Sequence, residues 1–189
     1  MLDRVRVKLG SYFVSLGRAF GRAVPSPTFW TGVGLAFAVL AGVSYWSSGL
    51  MGEVVAGVLI LVSGFFDVVD GAVARATGRV SKRGAFLDST LDRVAEVAIY
   101  AGLLAGGFAT GMLALAALSL SLLVSYTRAK ADALGTSLSG VGIGERSERL
   151  IVLAISSILG LAYWGVVVVA VIAGFTFVER TYRAAKSLG

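Results

Sequence analysis

The chain has 189 residues, 57% of them hydrophobic and only 15% charged, whereas a soluble domain carries about a quarter charged residues; one membrane domain fits these proportions and a separate soluble domain does not. With no cysteine and no histidine, disulfides, Cys or His nucleophiles, His bases and Cys/His zinc sites are excluded, so any bound metal must sit on oxygen ligands. The net charge of +6 reads as attraction to anionic membrane lipids and as topology control, with no nucleic acid expected.

In chain order, residues 2–22 place Leu2, Val5, Leu9, Tyr12, Phe13, Leu16 and Phe20 at a spacing near 3.6, with Arg4, Lys8, Ser11, Ser15, Arg18 and Arg22 on other faces. This pattern predicts an amphipathic helix lying on a membrane surface. The basic N-terminus lacks an apolar core with a cleavage site, so no secretory signal is expected. Pro25 and Pro27 then interrupt the chain. Six transmembrane helices are predicted near residues 28–48, 52–75, 84–107, 110–133, 147–163 and 165–183, on the basis of apolar runs close to the ~20 residues that a bilayer requires. The last two share a tight turn in the AYWG stretch. The predicted fold is therefore an all-α integral membrane protein, with six transmembrane helices preceded by an amphipathic interfacial helix. It forms a single domain over 1–189, with the bundle over 28–183.

Charge orients this bundle. The connections near 47–53, 107–111 and 163–166 contain no Lys or Arg, and all 17 basic residues fall on the other side. By the positive-inside rule that side is cytoplasmic, and both termini lie there. Tyr45, Trp46, Tyr163 and Trp164 fall at the opposite face, as interfacial aromatics do.

Four of the 11 acidic residues cluster in two adjacent apolar spans. Asp67 and Asp70 are spaced i, i+3, and Gly71 and Ala74 continue that helical face; Asp88 and Asp92 are spaced i, i+4 on the next span. Asp67 lies about 12 Å inside its helix, and Asp88 and Asp92 stand about one and two turns above the same edge. Antiparallel neighbours bring all four to similar depth, where uncompensated anions are strongly unfavourable. Bound divalent cations remove the problem, and paired ions suit phosphoryl chemistry; the alternative is a salt-bridge network with Arg75, Arg79 or Arg93. Glu96, one further turn along, is left without a role. Gly71 and Ala74, beside the carboxylates, leave room for a flat ligand such as a nucleotide base, although small residues also serve close helix packing.

The pattern Asp67-x-x-Asp70-Gly71-x-x-Ala74-Arg75, eight residues, Gly84-x-x-x-Asp88-x-x-x-Asp92 resembles the signature of the CDP-alcohol phosphotransferase family at every fixed position. The resemblance implies two divalent cations, Mg²⁺ or Mn²⁺, with Asp67 and Asp88 touching both, Asp70 one and Asp92 the other. It implies that Asp92 is also the catalytic base on the acceptor hydroxyl, which attacks the lipid-linked phosphorus as CMP leaves. Gly71, Ala74, Arg75 and Ser81 fall at CDP-lipid-binding positions. The family's Pro-Asn-x-x-Thr stretch reads Pro27-Thr28-Phe29-Trp30-Thr31 here. Pro27 and Thr31 match, and Thr28 replaces Asn with a residue that can still hydrogen-bond. A homodimer is also implied.

A second basic group, with Arg128, Lys130, Arg146 and Arg149 after the fourth span and Arg180 and Arg183 ending the last, exceeds what topology needs and suits a phosphorylated acceptor. Ser125, Tyr126 and Ala129, with Glu145, Arg146, Glu148, Arg149 and Leu150, resemble the branch of the family that makes inositol-phosphate lipids. That resemblance implies inositol 1-phosphate as acceptor, its phosphate held by Arg128, Arg149 and Arg180, and CDP-archaeol or CDP-diacylglycerol as donor. A glycerol phosphate acceptor would need similar arginines. A channel or transporter with an acidic core is the non-enzymatic alternative, which metal-dependent CMP release would exclude.

The charge distribution makes the topology testable by cysteine accessibility in intact cells. Gly49→Cys should be labelled from outside and Arg79→Cys protected; the reverse would overturn the orientation.

Overall fold

A computed structural model describes residues 2–47, 49–138 and 140–188, with side chains from Phe13 onward. Among the described residues the secondary structure is entirely helical: α1 (Leu2–Ala23), α2 (Pro27–Trp46), α3 (Leu50–Ala76), α4 (Lys82–Ala105), α5 (Gly111–Ala133), α6 (Arg146–Ile158) and α7 (Ala162–Leu188). The amphipathic N-terminal segment is the helix α1; the side chains of Leu2, Val5, Leu9 and Tyr12 in its expected apolar stripe lie outside the described residues.

Local chemistry explains where the helices begin and turn. Pro27 occupies the first turn of α2, where its missing N–H costs nothing. Gly49, between α2 and α3, has φ 99°, a conformation natural to glycine. Between α3 and α4, Gly78 has φ 69°, and the Ser81 hydroxyl accepts a hydrogen bond from the Gly84 N–H at 3.0 Å, capping α4. Thr110 caps α5 in the same way through the Leu113 N–H, at 3.3 Å.

Helix α3 lies at the centre, packed against α1, α2 and α6, while α2 also packs on α4 and α7 on both α5 and α6. Small residues set the spacing. A Cβ added at Gly102 of α4 would run into the Gly42 backbone of α2, and one at Gly42 would come to 2.5 Å from the Ala98 carbonyl oxygen. Gly17 brings α1 onto α3, since a Cβ there would collide with the Ala72 carbonyl. Without a hydrophobic drive between helices in lipid, such close backbone approach and interhelical hydrogen bonds hold the bundle together. Ala38, Ala41, Tyr45, Ile99 and Leu103 fill the interior of its far half, away from the α3–α4 connection, and are essentially inaccessible. The Tyr45 and Ser157 hydroxyls share a 2.5 Å hydrogen bond there. Glu53 of α3 accepts the Ala162 N–H at 2.5 Å, capping the start of α7 from another helix.

Four helices, α2, α3, α5 and α7, are long and apolar enough to cross a bilayer, and the protein is an integral multi-pass membrane protein. The other two expected spans differ from these. Helix α4 carries Asp88, Asp92, Arg93 and Glu96 along its length, and α6 has only 13 residues, about 20 Å. The expected span 147–163 is corrected at its end: α6 stops at Ile158, and the reversal occupies residues 159–161. Gly160 adopts φ 72° there, and the Leu161 N–H donates to the Ser156 carbonyl at 2.7 Å. The AYWG stretch therefore opens α7 instead of forming the turn.

Gly102→Ala should lower the Tm of the detergent-solubilised protein, because overpacking a close contact costs roughly 1–3 kcal/mol. Gly32→Ala should not, since open space surrounds that position.

Candidate active site

The carboxylates meet where α3 ends and α4 begins. Asp67 and Asp70 lie in the last three turns of α3, and Asp88 lies in the second turn of α4. The short connection keeps these helix ends near one another, and both helices pack on α2 rather than directly on each other. One oxygen from each of Asp67, Asp70 and Asp88 lies within 4.8 Å of the others. Asp70 is buried, and its Oδ2 has no hydrogen-bond partner. An unpaired, buried carboxylate oxygen facing two more carboxylates is costly unless a cation completes the group. Three oxygen donors at this spacing, in a chain without cysteine or histidine, fit a hard divalent cation.

Asp92 stands one turn beyond Asp88. Its Oδ1 lies 2.9 Å from Nη1 of Arg146, and the same nitrogen lies 3.1 Å from Oδ1 of Asp67. Arg93 approaches the other oxygen of Asp92 at 3.5 Å. Among the described residues, ion pairs to the four aspartates thus come from Arg93 and Arg146, and none comes from Arg75 or Arg79. Arg146 opens α6 and reaches the site across the α3–α6 contact.

Two cavities flank the carboxylates. The first, about 360 Å³, is lined by Pro27, Thr28, Thr31, Asp70, Gly71, Ala74, Arg75, Arg79, Val80, Ser81, Gly84, Ala85 and Asp88. All six residues expected to bind the CDP-lipid border it. The Arg75 guanidinium lies beside Gly71, where an added Cβ would stand 3.4 Å from Nη1, an ordinary contact distance. Arg79 Nη1 donates to the Pro25 carbonyl at 2.6 Å, tying the α1–α2 linker to the rim.

The second cavity, about 210 Å³, is lined by Asp67, Asp92, Arg93, Val124, Ser125, Arg128, Glu145, Arg146, Ser147, Arg149 and Arg180. It gathers the three arginines expected at the acceptor phosphate, in different settings. Arg128 is exposed and lies 3.5 Å from Glu145 Oε1. Arg149 is 2% exposed; it donates to Glu96 at 2.7 Å and to the Gly144 carbonyl at 2.5 Å. Arg180, equally buried, donates to the Val141 carbonyl at 2.9 Å and the Val124 carbonyl at 3.2 Å, and lies 3.4 Å from Glu145 Oε1. Sequence reasoning placed Arg146 in the basic group at the acceptor and matched Glu145 to the inositol-phosphate branch, but gave neither of them, nor Glu96, a specific contact. The spacing of Arg146 and Arg149, three residues apart, was the available signal for a shared face. A third cavity, about 300 Å³ and mostly apolar, lies between α3 and α6 and reaches Asp67 and Arg146.

The fold is an all-helical membrane bundle in which an aspartate group with the spacing of a cation site lies between two cavities edged by arginines. The family model for CDP-alcohol phosphatidyltransferase matches residues 26–178, and the chain belongs to that family. It is 36% identical over 188 residues to the archaetidylinositol phosphate synthase of Pyrococcus horikoshii, covering 100% of this chain and 98% of that one. It is 40% identical over 153 residues to the archaetidylinositol phosphate synthase of Methanothermobacter thermautotrophicus, covering 78% and 76% of the two chains. The crystal structure of Mycobacterium tuberculosis phosphatidylinositol phosphate synthase with CDP-DAG bound matches with a TM-score of 0.76 at 26% identity, over 91% of this chain and 92% of that one. The same enzyme in complex with manganese and citrate matches at 0.77, with 26% identity over 91% and 88%.

Asp70→Asn should weaken Mn²⁺ binding, read by electron paramagnetic resonance on the purified protein, and reduce CMP release to near background. Undiminished Mn²⁺ binding in that variant would remove the aspartate cluster as the cation site.

Proposed function

We propose that this enzyme transfers a phosphatidyl-type group from a CDP-linked lipid, CDP-archaeol or CDP-diacylglycerol, to inositol 1-phosphate, releasing CMP. The observation that carries the reading is that the two cavities share the aspartates as a common wall. Asp70 and Asp88 face the first, and Asp67 and Asp92 face the second. A donor in one and an acceptor in the other would meet across the carboxylates, which is the proximity a group transfer needs.

In the first cavity, Gly71 and Ala74 leave a flat helix surface for the base, Thr28, Thr31 and Ser81 offer hydroxyls, and Arg75 takes a diphosphate oxygen. In the second, Arg128, Arg149 and Arg180 hold the phosphate of the acceptor, leaving its ring hydroxyls toward Asp92. Asp92 takes the proton from the attacking hydroxyl, whose oxygen bonds to the lipid-linked phosphorus as the bond to CMP breaks. Arg146 fixes the Asp92 carboxylate and offsets its charge. Two divalent cations, Mg²⁺ or Mn²⁺, on Asp67, Asp70, Asp88 and Asp92 would supply charge stabilisation to the phosphoryl oxygens and the leaving group. All of α2–α7 cross the membrane in this reading, with the active site and both termini cytoplasmic, and the enzyme is a homodimer. The inositol-phosphate products named for the relatives above support the choice of acceptor.

The test is CMP release from each CDP-lipid with a panel of inositol 1-phosphate, glycerol 3-phosphate, free inositol and serine. Turnover should require Mg²⁺ or Mn²⁺ and inositol 1-phosphate; equal turnover with free inositol would overturn the phosphate site. Arg128→Ala should raise the acceptor KM about tenfold, a loss of ~1.4 kcal/mol, and leave the CDP-lipid KM nearly unchanged. Asp92→Asn should lower kcat by ~10²–10⁴-fold at saturating metal.

A further inference from the structure

Two glutamates sit among the arginines of the second cavity in contrasting ways. Glu96 is 1% exposed and meets the buried Arg149 at 2.7 Å, a length typical of a strong charge-assisted bond. Glu145 is 39% exposed, and its Oε1 lies 3.5 Å from Arg128 Nη1 and 3.4 Å from Arg180 Nη2. Its backbone, by contrast, is fixed. The Glu145 N–H donates to Glu148 Oε2 at 2.8 Å, and the carbonyls of Gly144 and Val141 accept from Arg149 and Arg180. The Glu145 carboxylate also accepts the Glu148 N–H in a capping box at the start of α6. The protein thus holds one carboxylate with long ion pairs, on a rigid stem, between two of the arginines assigned to the acceptor phosphate.

We infer that Glu145 determines acceptor specificity by charge: its carboxylate occupies the anion position between Arg128 and Arg180, and a phosphate monoester enters by displacing it. This inference rests on the functional reading above. A phosphate monoester carries more charge than a carboxylate and offers three strong acceptor oxygens, so the exchange favours it. A neutral polyol brings no charge to make the exchange, and a monoanion only replaces like with like. The contacts at 3.4–3.5 Å are long enough to give way, and the exposed side chain has solvent to move into. Glu145 is then a selector that sets a threshold of charge, while the arginines supply the attraction.

The sign of the effect separates this role from the alternatives. Removing the charge with Glu145→Gln should strengthen binding of inorganic phosphate about three- to tenfold, since each partly exposed ion pair released contributes only a fraction of the binding constant. The probe is inorganic phosphate itself, titrated calorimetrically into the purified full-length protein. Dimethyl phosphate, a monoanion, should bind the variant and not the wild type. Glu145→Asp keeps a capping carboxylate but withdraws it by one methylene, so it should shift phosphate binding in the same direction. Glu148→Gln, which removes a neighbouring charge but keeps an amide oxygen to accept the Glu145 N–H, should shift phosphate binding much less. Unchanged or weaker phosphate binding in both Glu145 variants would overturn the inference, as would a shift in Glu148→Gln as large as that in Glu145→Gln. Tighter phosphate binding in the variants, with no turnover of inositol 1-phosphate by the wild type, would leave Glu145 as the selector and remove the acceptor reading. Turnover of inositol 1-phosphate with unchanged phosphate binding would remove the selector alone.

Discussion

Negative charge inside an apolar bundle has to be met by positive charge, and the arrangement of one end of this molecule follows from that requirement. Asp67 and Asp70 on α3 and Asp88 on α4 come together because the connection between the helices is short and both helices pack against α2. A cation can balance that trio. Arg146 reaches Asp67 and Asp92 from α6, more than 50 residues later in the chain. Burial of such a pair is a weak source of stability, because desolvation offsets much of the attraction. Its value here lies in fixing geometry, since the guanidinium ties α6 to the carboxylates and so places the second cavity beside them.

The same requirement explains why the basic residues fall into distinct classes. Arg75 and Arg79 line the first cavity without an ion pair to the aspartates, so their charge faces the space a diphosphate would fill. Arg149 and Arg180 turn most of their donors inward, onto Glu96 and backbone carbonyls, and thereby shape the loop before α6. Arg128 remains exposed at the edge. A count of arginines merges these settings, although their consequences for binding and for structure are different.

The clustering of the aspartates with the small residues beside them was legible in the sequence because they lie within one stretch of about two dozen residues, whereas Pro27, Thr28 and Thr31 of the first cavity come from α2. Helical spacing within such a stretch converts directly into a shared face. Arg146, Glu96 and Glu145 were not legible, because their roles come from α3–α6, α4–α6 and α5–α7 proximity, which local periodicity does not encode. The α6–α7 boundary was misplaced for a related reason. Tyr163 and Trp164 read as the edge of the span, but the chain reverses slightly earlier, at a glycine inside an apolar run that hydropathy reads as continuous. The charged face of α4 lowers its apparent hydrophobicity for the reason that makes it functional: its acidic residues point into the bundle.

The packing at the opposite end bears on how the acidic cluster is reached. Gly42 and Gly102 bring two backbones nearly into contact, Ala38, Ala41, Ile99 and Leu103 fill the interior around them, and Tyr45 and Glu53 find their polar partners within the protein. This half of the bundle is closely packed, with its polar side chains bonded inside the protein. The acidic cluster therefore lies at the bottom of a cleft walled on one side, and a ligand would enter and leave it by the arginine-lined end.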